Sequence, residues 1–120
     1  MINVRGKELD FNFMNADHVQ KWEDSRKTVQ KRYSDIAKVT PEEVGLQEYA
    51  DLLRKACASI FDLFDGIFGE GTSNELFGSE CDFEACVDAF AEFEDGVAAQ
   101  ATAFDKKVTS RIKPFGKKGK

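Results

Sequence analysis

Along the first fourteen residues, apolar and polar positions alternate. Ile2 and Val4 flank Asn3, and Leu9, Phe11 and Phe13 alternate with Asp10 and Asn12. A period of two marks a strand with one buried face. Gly6 lies between the two runs, where a positive φ costs a glycine little. The pattern predicts a small hairpin. Two strands alone are marginal in water, so this pair must lay its apolar face on helices.

From Asn15 the period lengthens. Asn15 is a natural N-cap, Asp17 suits the first turn, and Val19, Trp22, Val29, Tyr33 and Ile36 recur at helical spacing. Lys21, Glu23, Asp24, Lys27, Lys31, Arg32 and Asp35 make the opposite face wet, which places this helix at the edge of the core. Thr40, Pro41 and Glu43 form a capping box with proline at the first helical position, and Gly45 interrupts the turn. Leu46, Tyr49, Leu53, Cys57, Ile60, Phe64 and Ile67 then form a broad stripe, widened by Leu52, Ala56, Phe61, Leu63 and Phe68. So apolar a helix is the central element, and Gly69 and Gly71 end it. Residues 72–77 read as one short turn, capped by Thr72 and closed by Gly78, with Leu76 and Phe77 plugging the core. Phe83, Cys86, Phe90, Phe93, Val97, Ala101, Phe104, Val108 and Ile112 give a last, sustained stripe, which Pro114 terminates.

These elements predict a mainly α protein: an N-terminal β-hairpin followed by a bundle of three long helices and one short helical turn. The expected boundaries are a single helical domain at 1–112 and a disordered basic tail at 113–120. Trp22, Leu53, Cys57, Ile60, Phe64, Phe90, Phe93 and Val97 should form its centre. Length adds a constraint. A helix over 83–112 would run about 45 Å, whereas a compact globule of this size is only about 35 Å across. Either Gly96 bends the helix, or its end projects with an apolar stripe that needs a partner. Phe104, Val108, Ile112 and Phe115 are therefore the candidate partner-binding residues.

Composition narrows the function. The 120 residues are 42% hydrophobic and 32% charged, which fits one globular domain rather than a disordered chain. Seventeen basic against 22 acidic residues leave a net charge of −5, so nucleic acid and anionic membrane are not expected partners of the whole surface. No apolar run approaches the ~20 residues of a membrane span, and the N-terminus lacks a secretory pattern, so a cytoplasmic protein is expected. The charge is segregated. From Ala56 to Asp105 there are twelve acids and no Lys or Arg; Lys106, Lys107, Arg111, Lys113, Lys117, Lys118 and Lys120 follow.

The inventory of reactive groups is thin. Cys57, Cys81 and Cys86 are an odd set without zinc-knuckle spacing, and Cys57 and Cys86 fall at apolar helical positions, as small buried hydrophobes do. His18, the single histidine, sits near a helix start with no thiol or hydroxyl placed beside it by the sequence. The segment from Asp62 to Gly71 fails as a calcium loop: starting at Asp65, the third, fifth and twelfth positions are Ile67, Gly69 and Leu76. No phosphate-binding loop, nucleophile elbow or zinc-protease motif occurs. The expectation is a protein that is not an enzyme and carries no cofactor or metal.

Several segments together resemble a known family. They are Gly6-Lys-Glu-Leu-Asp-Phe-Asn-Phe13, Ile60-Phe-Asp-Leu-Phe-Asp65, Phe68-Gly-Glu-Gly-Thr72, Leu76-Phe-Gly78 and Ala89-Phe-Ala-Glu-Phe93. The chain is similar over residues 1–100 to small proteins encoded in tail-gene regions of phages and prophages of Gram-positive bacteria, which act as tail assembly chaperones. That resemblance implies a partner, the tape measure protein, which the chaperone coats until polymerising tail-tube subunits displace it. It also implies self-association, a place in the host cytoplasm and absence from the mature virion. The alternative class is a small phage-encoded regulatory adaptor that binds a host protein.

Overall fold

The computed structural model describes the backbone of residues 1–116 and the side chains of residues 1–111. Strands β1 (Ile2–Val4) and β2 (Lys7–Leu9) form an antiparallel hairpin in which Ile2 faces Leu9 and Val4 faces Lys7. Helices α1 (Ala16–Ala37), α2 (Pro41–Val44), α3 (Leu46–Phe68), α4 (Thr72–Phe77) and α5 (Phe83–Gly116) follow. The fold is mainly α, as the periodicity predicts: one hairpin, three long helices, and short turns between them.

The hairpin turns on Arg5 and Gly6, both at positive φ (51° and 84°), the backbone of a tight two-residue connection. Its apolar face is buried: Ile2, Val4 and Leu9 lie in the core, with β1 packed on α5. Arg5 clamps the turn to the body. Its Nε donates to the Leu76 carbonyl at 2.8 Å, its guanidinium lies 5.4 Å from the Phe77 ring, and its backbone N–H donates to Glu92 at 3.0 Å.

The alternation after Leu9 outlasts the ladder. Phe11 is buried and Phe13 half-buried, yet β2 stops at Leu9, the partner of Ile2. A side chain takes over the role of a neighbouring strand. The Phe13 N–H donates to Gln100 Oε1 and Gln100 Nε2 donates to the Phe11 carbonyl, each at 2.8 Å. A primary amide has the donor and acceptor of a peptide group, so one glutamine on α5 satisfies two backbone groups that would otherwise be orphaned.

Asn15 caps α1 through its Oδ1, and the Thr40–Glu43 capping box is formed in both directions. Gly45, at φ 87°, separates α2 from α3. Two local expectations need correction. Thr72 is the first residue of α4, not its cap; Gly71 holds that position, and Thr72 Oγ1 donates to the Gly69 carbonyl. The free N–H groups of α4 are served from α3: Asp65 accepts from the Ser73 N–H at 2.7 Å and from the Ser73 hydroxyl at 2.9 Å. Leu46 does not belong to the buried stripe. It is 78% exposed, at the first residue of α3.

The core is aromatic. Phe93 is fully buried and its ring meets Phe11, Trp22, Phe64 and Phe68 at centroid distances of 5.0–5.7 Å. Of the predicted centre, Trp22, Cys57, Ile60, Phe64, Phe90, Phe93 and Val97 are buried, while Leu53 is only half-buried near the start of α3. Tyr33 packs edge-on against Phe83 and Phe90. Its buried hydroxyl finds no hydrogen-bond partner among the described residues. An unpaired buried hydroxyl costs about 1–3 kcal/mol. Tyr33→Phe is therefore expected to raise the stability, by about 1 kcal/mol. A urea midpoint below that of the parent would show that the hydroxyl is stabilising.

The last helix settles the length question. At 1.5 Å per residue, the 34 residues of α5 span about 51 Å, and the molecule measures 64 × 30 × 21 Å. The end projects. The helix runs to Gly116, past Pro114, so residues 113–116 continue it instead of beginning the expected tail; residues 117–120 lie outside the described residues.

Candidate functional site

The projecting part of α5 begins just after Val97, the last of its described side chains to be buried in the core. Gln100 ties the helix to the extended segment Phe11–Phe13. One turn on, Phe104 meets Phe13 edge to face at 5.8 Å. Phe104 was expected to lie beyond the globule; it is instead half-covered by Phe13, because the chain before α1 runs along α5. A shallow cleft opens there, lined by Phe13, Met14, Ala103, Phe104 and Lys107. Met14, at its rim, is 53% exposed. Val108 follows, half-buried, on the same stripe. The side chains of Ile112 and Phe115 lie outside the described residues.

The structure thus brings Phe104 and Val108 to one face and adds Phe13 and Met14 from before α1. Sequence reading missed this contribution, since Phe13 fitted a strand and Met14 fitted nothing. Gln100 was missed as well. Its one signal is a polar residue one turn before Phe104, at the margin of an apolar stripe.

Electrostatics divides the surface. Lys106, Lys107 and Arg111 are exposed along the projecting end and take part in no ion pair among the described residues. On α1, by contrast, Lys27 and Arg26 donate to Glu23 and hold its carboxyl below the usual range. Burial, aided by Asp95, pushes the Glu94 carboxyl up.

His18 stacks on Phe11 at 5.6 Å, and its Nδ1 accepts the Asn12 N–H, so the ring fastens the segment before α1. Cys57 and Cys86 are fully buried and Cys81 is exposed. Burial first, and then neighbouring thiols, push Cys57 up; burial likewise pushes Cys86 up, and Tyr33 is raised to about 12. No group of three His, Cys, Asp or Glu side chains among the described residues is arranged to hold a metal ion. No described helix is long and apolar enough to cross a membrane.

These raised values give an alkaline prediction with a definite sign. The unfolded chain releases the Cys57 and Cys86 thiol protons near pH 8.5 and the Tyr33 phenol proton near pH 10, at about their ordinary values, while the native state retains them. Stability is therefore complete below about pH 8.5 and is lost as the pH rises through the window up to the raised native values. Urea midpoints should fall between about pH 8.5 and 10.5, and Cys57→Ala should flatten that fall. An equal slope in the variant would remove Cys57 from the account.

A family model matches residues 5–117. The chain belongs to that family, a family of unknown function designated DUF6673. The match spans the hairpin turn, all five helices and the projecting end, so this DUF6673 member carries the candidate surface within the family's own boundaries. No curated protein and no solved structure matches the chain.

Proposed function

We propose that this DUF6673 member is a non-catalytic tail assembly chaperone of a phage or prophage. It binds a helical segment of the tape measure protein in the host cytoplasm, gives way to tail-tube subunits, and is not retained in the mature virion. The resemblance of residues 1–100 to tail-region proteins supplies the identity of the partner. The observation that carries the reading is the end of α5, which extends past the core with Phe104 and Val108 on one face and a cleft at its base. A chaperone for a long helical client needs a surface of this kind: exposed apolar contacts, individually weak and made many times over. Self-association through the same end would supply the multiplicity.

Co-expression tests it. A tape measure fragment from the same tail-gene region should co-purify with the chain, and the chain alone should sediment as an oligomer at tens of micromolar. Truncation after Lys107 keeps the Phe13–Phe104 contact and the cleft, so it should abolish association while leaving the melting temperature of the body unchanged. A monomer that ignores tape measure fragments but retains a host protein stoichiometrically would replace this reading with the regulatory adaptor.

A further inference from the structure

From Phe104 onward the apolar stripe of α5 has unequal borders. At 3.6 residues per turn, Lys107 and Arg111 fall within about 60° of Phe104 on one side of the stripe, one above the other at i and i+4. Asp105 and Thr109 occupy the other border, and Asp105 is the last acid in the sequence. Lys107 also lines the cleft beside Phe13, Met14 and Phe104. Both basic side chains are exposed, and neither is ion-paired among the described residues. The basic row thus accompanies the apolar one along the part of the helix that has no core beneath it.

We infer that the occupant of this face is an amphipathic helix with an apolar stripe and a row of carboxylates along one edge, spaced one turn apart to meet Lys107 and Arg111. The inference rests on the chaperone reading and adds the chemistry of the client segment. Carboxylates at i and i+4 lie about 5–6 Å apart on a helix, the same interval as the two basic positions. Charge on one edge only fixes the orientation of the client as well as its affinity, because turning the helix end for end places its acids against Asp105.

A basic amphipathic helix can also lie on an anionic membrane. One observation favours a protein: Phe104, the largest described apolar residue of the projecting end, lies against Phe13 in a cleft, a concave setting that admits a partner's side chain and not a flat bilayer surface.

The test uses the full chain and two labelled helical peptides of about 20 residues with identical Leu/Ala stripes, one with Glu along an edge and one with Lys. Fluorescence anisotropy should show the Glu peptide binding at least about tenfold tighter at low salt, with the preference shrinking as salt rises toward about 0.5 M. The double variant Lys107→Glu/Arg111→Glu should invert the preference without moving the melting temperature, since neither side chain supports the core. Equal affinity for the two peptides, no binding of either, or an unchanged preference in the double variant overturns the inference. So does flotation of the protein with phosphatidylglycerol vesicles under conditions where neither peptide binds. If a tape measure fragment co-purifies but the peptides are not discriminated, the client chemistry is wrong and the chaperone reading stands. Discrimination without co-purification has the opposite meaning.

Discussion

Phe93→Ala should be the most damaging single truncation in this chain, at about 3–5 kcal/mol. The ring is fully buried and touches aromatic side chains from four directions: Phe11 from the segment after the hairpin, Trp22 from α1, and Phe64 and Phe68 from α3. Removing it strips an edge-to-face partner from each of these rings at once. The void also lies where three helices and the N-terminal segment meet, so no single element can relax into it. A domain of this size has a total stability of only about 5–15 kcal/mol, and the variant should be partly unfolded at 37 °C or close to it. Phe61→Ala, at a half-buried position touching chiefly Phe77, should cost visibly less. Urea denaturation of the two variants side by side checks the ranking. A Phe93→Ala midpoint equal to that of Phe61→Ala would mean that the ring is not the hub its contacts describe.

Gly96→Ala should destabilise although it improves the helix. Alanine in a helix interior is favoured over glycine by about 1 kcal/mol, and a glycine in the middle of α5 invites that replacement. The hairpin forbids it. A Cβ at position 96 would overlap Ile2 Cγ2 and lie 2.9 Å from Ile2 Cγ1, well inside contact distance. Ile2 has little room to yield, being 4% exposed, β-branched and paired with Leu9. The hairpin must lift off α5 or the helix must shift, and overpacking of this kind costs about 1–3 kcal/mol, which after the propensity gain of about 1 kcal/mol leaves a net loss of up to about 2 kcal/mol. The cause can be isolated by a double-mutant cycle. In an Ile2→Ala background, where the offending methyls are gone, Gly96→Ala should become neutral or stabilising. If it is equally harmful there, the contact with Ile2 is not the reason for the glycine.

Gly96 also shows how the sequence could be read correctly for the wrong cause. The length of the stripe from Phe83 to Ile112 posed a choice between a bend at Gly96 and a projecting end. Periodicity alone could not choose, because a glycine that bends a helix and a glycine that admits a neighbour look the same in one dimension. The end projects, and the glycine is a notch for Ile2. Pro114 misled in the same way: it marks a helix end in sequence, yet α5 continues to Gly116.

The local chemistry of the chain determined the elements. The change from period two to period 3.6 at Asn15, the capping box at Thr40, and the breaks at Gly45 and Gly69 depend on side chains within a few residues of the backbone they control, so they were legible without a fold. Most of the core was legible for a related reason: burial follows an apolar stripe wherever another element covers it. Coverage itself is a tertiary fact. Leu46 and Leu53 continue the stripe of α3 but lie where the covering elements give out, whereas Phe104, placed outside the globule by arithmetic, is covered by Phe13 from 91 residues earlier in the chain. The pairings Gln100 with Phe11 and Phe13, Asp65 with Ser73, and Arg5 with Leu76 were likewise beyond the sequence, since any of several polar residues could have satisfied those backbone groups. So it is with the candidate surface. Its apolar row and basic border are written along one helix, but only the packed structure decided which part of that row stays open, because exposure depends on where the rest of the chain ends up.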